Sequence, residues 1–342
     1  MSEHPFLRAC RRQAVPHTPV WLMRQAGRYM AEYRAVREKL GFLELCHHPA
    51  AAAEVTVTAA RRLGVDAAII FADILLILEP LGVGLEFASG DGPVLHRPVR
   101  SPEDVRRLAP YDPADALAYV YEAVRITRRE LDGKIPLIGF SGAPFTLGSY
   151  LIEGGGSRNY LLTKSLMYEH PQAWHELMSL LAGLVNGYLR GQVAAGAEAV
   201  QLFDSWVGCL APEDYRRFVL PYTRAAMAGL SPETPVIHFA TGASGLLEAM
   251  REAGGDVIGI DWRIDLDRAW QRIGLDVGIQ GNLDPATLLA PVAEIRRQAA
   301  DILARAAGRP GHVFNLGHGI FPSTPVDHVI ALVDAVHELS AR

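Results

Sequence analysis

The chain has 342 residues, 49% hydrophobic and 21% charged, enough to bury a sizeable core in one large domain or two ordinary ones. Its 33 Lys and Arg against 38 Asp and Glu give a formal charge of -5, which excludes the broad basic field of a nucleic-acid binder and leaves any acidic ligand to local arginines. Three widely spaced cysteines, Cys10, Cys46 and Cys209, with no Cys-x-x-Cys, argue against a disulfide framework and a thiolate metal cluster and fit a reducing compartment.

The first residues, Met1 to Arg8, lack the apolar core of a signal peptide, and no apolar run reaches membrane-spanning length. A cytoplasmic protein without a membrane partner is therefore expected. The first strand is predicted at 20–24, within Pro19-Val20-Trp21-Leu22-Met23, and it runs into Arg24-Gln25-Ala26-Gly27-Arg28-Tyr29. Two guanidiniums four residues apart around a small-residue turn can fix the orientation of a multi-acid ligand, because the planar fork pairs with a carboxylate bidentately. A solvated arginine pair at a helix start is the bland alternative, but Trp21, Met23 and Gly27 crowd the motif with apolar and permissive residues.

Further apolar, β-branched runs bounded by Gly, Pro or Asp follow at 67–71, 136–140, 199–203, 236–239, 257–260, 277–280 and 313–316. Helical periodicity is read at 49–63, 114–131, 171–195, 212–230, 243–253, 266–273, 292–307 and 326–339. Eight strands alternating with helices predict a single distorted (β/α)8 TIM-type barrel over 1–342, with no linker to divide it. A doubly wound open sheet alternates in the same way, but its Gly-x-Gly-x-x-Gly after the first strand is missing. Residues 84–96, around Ser89-Gly90-Asp91-Gly92, read as an inserted hairpin, and Gly154-Gly155-Gly156 as a mobile loop, since it lacks the Gly-Lys-Ser/Thr ending of a phosphate loop.

In such barrels the chemistry sits at the C-terminal ends of the strands. The candidates there are Arg24 and Arg28, then Asp73, then Ser141 to Tyr150 after the third strand, then Asp204-Ser205-Trp206, Gln280-Gly281-Asn282 and Gly317-His318-Gly319. Asp73 can equally cap a following turn, and Asp204 and Ser205 can be N-caps of the next helix, the reading favoured for Asp204. His318 between two glycines reads as an imidazole left free for a ligand.

These segments resemble the uroporphyrinogen decarboxylase family over essentially the whole chain. Residues 19–29 resemble its N-terminal signature, residues 139–147 with 153–157 its second, and residues 71–75 and 315–320 the segments carrying its central aspartate and C-terminal histidine. The resemblance implies a homodimer of distorted (β/α)8 barrels, without metal or organic cofactor. It implies conversion of the four acetate arms of uroporphyrinogen III to methyls, giving coproporphyrinogen III. Carried over by motif, the functional residues are Arg24, Gln25, Arg28, Asp73, Tyr150, Ser205 and His318. Two other readings were weighed. A zinc-dependent methyltransferase on the same barrel would need a His-x-Cys pair, but the corresponding stretch is His238-Phe239-Ala240 and no cysteine follows Cys209. A non-catalytic tetrapyrrole-binding scaffold is disfavoured by the intact arginine, aspartate and histidine motifs.

Overall fold

The structure is a computed structural model, and it describes residues 4–88 and 92–342. Its centre is a curled parallel sheet of seven strands: β1 (Ala68–Ile69), then β4 (Leu137–Gly142), β5 (Ala199–Asp204), β6 (Val236–Ala240), β7 (Val257–Gly259), β8 (Gly278–Gln280) and β9 (His312–Val313). A separate antiparallel pair, β2 (Leu85–Ala88) and β3 (Gly92–Leu95), supplies the arms of the predicted hairpin. Its expected tip at Ser89 to Asp91 lies outside the described residues. The strands of the main sheet are buried on both faces, as a parallel sheet covered by helices requires.

The first predicted strand does not form. Val20 is a single bridging residue, paired in parallel with Phe314 after β9, while its carbonyl accepts from Asp66 N–H (2.8 Å) ahead of β1. One residue thus joins the two edges of the curled sheet. The strand stops because the chain turns at once, with Arg24 in the left-handed region at φ 61°. Trp21 still points into the barrel, where its Nε1–H donates to Gln280 Oε1 and Gln280 Nε2 donates to Gln201 Oε1, both at 2.9 Å.

Helices form where the sequence carries start and stop chemistry. Pro49–Leu63 begins with proline in its first turn and ends at Gly64 (φ 68°), and the 25-residue Pro171–Ala195 begins on Pro171 and ends at Gly196 (φ 118°). Two predicted helices are each divided. The segment 114–131 becomes Pro113–Ala116 and Ala118–Leu131, and 212–230 becomes Pro212–Phe218 and Leu220–Met227. Pro221 explains the second break, because it lacks an N–H and fits only a first helical turn. The helix predicted at 243–253 starts later, as Leu247–Ala253. Residues 141–150, for which neither helix nor strand is predicted, complete β4 and then form most of the helix Pro144–Glu153, whose last turn ends at Gly154 (φ 82°). The Gly154 carbonyl accepts from Leu95 N–H (2.9 Å), which ties this helix end to β3. No helix among the described residues is long and apolar enough to cross a membrane.

At the N-terminal end of the barrel, Asp66 gathers three segments of the chain. Its carboxylate accepts from His17 Nε2 (2.9 Å), from His337 Nε2 (2.8 Å) in the last helix, Val326–Ser340, and from Val20 N–H (2.7 Å). Burial alone would raise the Asp66 pKa, but the hydrogen bonds from both histidines and Val20 outweigh it and leave it lowered. The hydrogen bond to Asp66 in turn raises the His337 pKa. A raised histidine stabilises the fold fully below its ordinary value near 6.5 and loses that contribution as pH rises through its folded value. A lowered aspartate contributes above its ordinary value and loses it only in acid. The clasp is therefore strongest at mildly acidic pH. His337→Ala is expected to lower the melting temperature by about 2 °C at pH 6 and by less at pH 8, read by thermal melts of both proteins.

Candidate active site

The C-terminal ends of the strands surround one cavity of about 650 Å³. Arg24, Gln25, Arg28, Asp73, Tyr150, Ser205 and His318 all line it, so every site residue expected from the sequence is brought to one place. Arg24 and Arg28 are exposed, and among the described residues neither lies within ion-pair distance of a carboxylate. Gln25 is buried, and its amide is committed to the backbone, accepting from Leu22 N–H (3.2 Å) and donating to Ala67 O (3.3 Å). It therefore shapes the arginine turn from behind.

Asp73 both lines the cavity and caps a turn. One carboxylate oxygen accepts from Leu75 N–H (2.9 Å) and so caps the turn that follows, while the other makes no hydrogen bond among the described residues. Burial pushes the carboxyl up to about 6, against the opposing pull of Leu75 N–H and the Arg24 charge. His318 has its pKa lowered, first by burial and then by the Arg24 guanidinium, so it is a neutral imidazole at pH 7. Burial and the Asp73 charge raise the Tyr150 phenol, which stays protonated.

The glycines beside His318 serve a purpose other than freeing the ring. A Cβ on Gly319 would lie 2.3 Å from Arg24 Cδ and 2.8 Å from its Nε, so the missing side chain is the channel through which Arg24 reaches the cavity. A Cβ on Gly317 would collide with Trp262, at 2.7 Å from its ring. Asp204 and Ser205 are not helix caps. The short turn Val207–Cys209 has Trp206 at its N-cap position and the helix Pro212–Phe218 has Ala211, neither with a side-chain cap, and Asp204 is fully buried, accepting from Thr146 Oγ1 (2.9 Å).

Two features of the cavity were missed in the sequence. Arg37, on the helix Ala31–Arg37, is a third guanidinium in the lining, stacked 5.6 Å from the Phe42 ring centre. The charged lining is then three arginines against Asp73 in a chain of net charge -5. The second feature is aromatic. Phe71, Phe140, Phe203 and Phe239 all line the cavity, and Phe203 meets Phe140 and Phe239 edge to face at 5.5 and 5.7 Å. Each of the four closes a predicted strand, so the signal was present as a phenylalanine repeated at strand ends. His238, the histidine weighed as a zinc ligand, is instead buried within β6, where burial pushes it down to about 4.

The arrangement can hold several carboxylates on arginines, enclose an apolar body between phenyl rings, and present one carboxylate to hydrogen-bond donors. Comparison with known proteins agrees with this chemistry. The family model described as uroporphyrinogen decarboxylase (URO-D) matches residues 1–339. A uroporphyrinogen decarboxylase of Carboxydothermus hydrogenoformans is 58% identical, covering 98% of this chain and 96% of its own. One of Roseiflexus sp. is 57% identical, covering 100% of both. Among solved structures, a methyltransferase from Methanosarcina mazei superposes with a TM-score of 0.81 over 98% of this chain and 97% of its own, at 19% identity, and so shares the fold. The chain belongs to the uroporphyrinogen decarboxylase family.

Proposed function

We propose that this protein decarboxylates the four acetate side chains of uroporphyrinogen III to methyls, giving coproporphyrinogen III and carbon dioxide in haem biosynthesis. The observation that carries this reading is the cavity lining: a single carboxylate with a raised pKa, faced by arginines and framed by phenyl rings. The substrate is an octa-acid on a flexible, reduced macrocycle with four pyrrole N–H groups. Arg24, Arg28 and Arg37 hold its carboxylates, the phenylalanines pack its ring, and Asp73 accepts hydrogen bonds from the N–H groups of a domed macrocycle.

Decarboxylation needs a sink for the electron pair. Protonation of a pyrrole carbon makes an iminium-like cation that serves as one, so the reading requires neither metal nor organic cofactor. Asp73, ionised above about pH 6, stabilises that cation. Arginine is a poor acid, so the proton arrives through water or a substrate carboxyl, with Arg24, Tyr150 and His318 orienting the donor. Ser205 contributes a further polar contact. The reading takes residues 1–342 as one domain of a cytoplasmic homodimer with no nucleic-acid or membrane partner.

The test is anaerobic incubation with chemically reduced uroporphyrin III, followed by oxidation and separation of products by carboxylate number. Stepwise loss of four carboxylates is expected, and an unchanged octa-acid overturns the reading. Gly319→Ala puts a methyl in the path of Arg24 and is expected to lower kcat/KM by about tenfold or more while the fold is retained. Parental kinetics in that variant would mean that the path of Arg24 does not matter.

A further inference from the structure

Tyr150 and Ser205 come to the cavity from different elements, the helix Pro144–Glu153 and the end of β5. Something must hold them in register. The helix start is hung on β5 by Ala143 N–H donating to Phe203 O (2.8 Å). One turn further along, Thr146 Oγ1 donates to Asp204 Oδ1 (2.9 Å) and accepts from Trp206 N–H (3.3 Å). Ser205 sits between these two partners of Thr146, and its carbonyl accepts from Thr241 Oγ1 on the other side. Tyr150 lies four residues after Thr146, hence on the same helix face, and its ring stacks on Trp206 at 3.7 Å and 27°.

We infer that the buried Asp204–Thr146 pair is the positioning element of the Tyr150–Ser205 wall, setting where that wall stands relative to Asp73. Asp204 does not line the cavity and acts through Thr146. Its second carboxylate oxygen is buried without a hydrogen-bond partner among the described residues. An unpaired buried charge is costly, whereas a protonated carboxyl still offers an acceptor to Thr146. Burial pushes Asp204 up to about 7, in keeping with that form. The ionisable groups that sense it, Cys209 in the adjoining turn and Tyr215 in the helix Pro212–Phe218, are a thiol and a phenol, which are neutral or anionic and so cannot supply a positive counter-charge.

The inference rests on the decarboxylase reading, and the test separates the two. In the full chain, Thr146→Val is expected to lower kcat on uroporphyrinogen III about tenfold. The Kd for oxidised uroporphyrin III should stay within about threefold, because the arginines that hold carboxylates are untouched. Trp206 emission, taken as the difference from Trp206→Phe in each background, should shift. Thr146→Ser restores the hydroxyl and is expected to recover most of the lost kcat. A folded Thr146→Val with parental kcat and parental Trp206 emission overturns the inference. A parent inactive on uroporphyrinogen defeats the decarboxylase reading alone, since Trp206 emission still reports on the wall. If Thr146→Val does not fold, Asp204→Ala, which removes the acceptor for Thr146 Oγ1–H, carries the test. A kcat lower by about threefold or more supports the role and a smaller loss overturns it, with Asp204→Asn, which keeps an acceptor oxygen, as the conservative control expected to retain most of the kcat.

Discussion

Asp73→Asn yields a folded protein whose kcat on uroporphyrinogen III is lower by roughly 10²–10³-fold, the loss expected from removing one preorganised electrostatic group worth roughly 2.7–4 kcal/mol. The amide is nearly isosteric and its oxygen can still accept from Leu75 N–H, so the turn survives. What disappears is the negative charge facing the pyrrole N–H groups. Stability should move the other way. The folded Asp73 carboxyl is raised to about 6 by burial, so ionising it above that pH works against the fold, while at pH 4 the penalty vanishes. The asparagine variant should therefore melt no lower than the parent at pH 8. In the parent, kcat/KM should fall as pH drops below about 6, where Asp73 takes up a proton. A folded Asp73→Asn protein with near-parental turnover would remove Asp73 from the mechanism.

Local chemistry was legible in the sequence wherever it decided the structure. The helices Pro49–Leu63 and Pro171–Ala195 begin and end at the predicted residues because proline and glycine fix both termini whatever the surroundings. The site residues were legible because the strand-end rule of the barrel converts position along the chain into position in space. The first strand was not legible. Val20 to Arg24 has strand composition, but the segment is spent on one bridge and a left-handed turn whose purpose is to aim Arg24. Asp204 was misread because a polar residue after a strand looks the same whether it caps a helix or is buried against Thr146 58 residues away. Arg37 escaped notice because it comes from a helix before β1, outside the strand ends where the cavity was sought.

The glycines around His318 show how a residue that does line the cavity can be chosen on an incomplete argument. In the sequence they read as freeing the imidazole, yet their space is filled by Arg24 on one side and Trp262 on the other. The imidazole is held at the cavity with its pKa lowered by burial and by that same Arg24. One guanidinium thus adds to the burial that lowers the His318 pKa and opposes the rise in the Asp73 pKa, which couples the three residues electrostatically. Changes at Arg24 are for that reason expected to be non-additive with changes at Asp73 or His318.

Turnover should depend absolutely on the reduction state of the macrocycle and not on added metal. Uroporphyrinogen has four pyrrole N–H groups on a ring flexible enough to dome, so all four can turn to one face, toward the Asp73 carboxylate. Oxidised uroporphyrin is flat and carries only two such hydrogens, and protonating one of its carbons would break the aromatic system that stabilises it. Its carboxylates still match Arg24, Arg28 and Arg37, so it should bind in the cavity as a competitive inhibitor without releasing carbon dioxide. The binding should weaken as salt screens the exposed arginines. With the reduced substrate, exhaustive chelation should leave the rate of carbon dioxide release unchanged, because in the proposed reaction the electron sink is the protonated pyrrole itself. Decarboxylation of the oxidised ring would rule out carbon protonation as the source of that sink. Activity lost on chelation and regained with zinc would instead assign the sink to a metal.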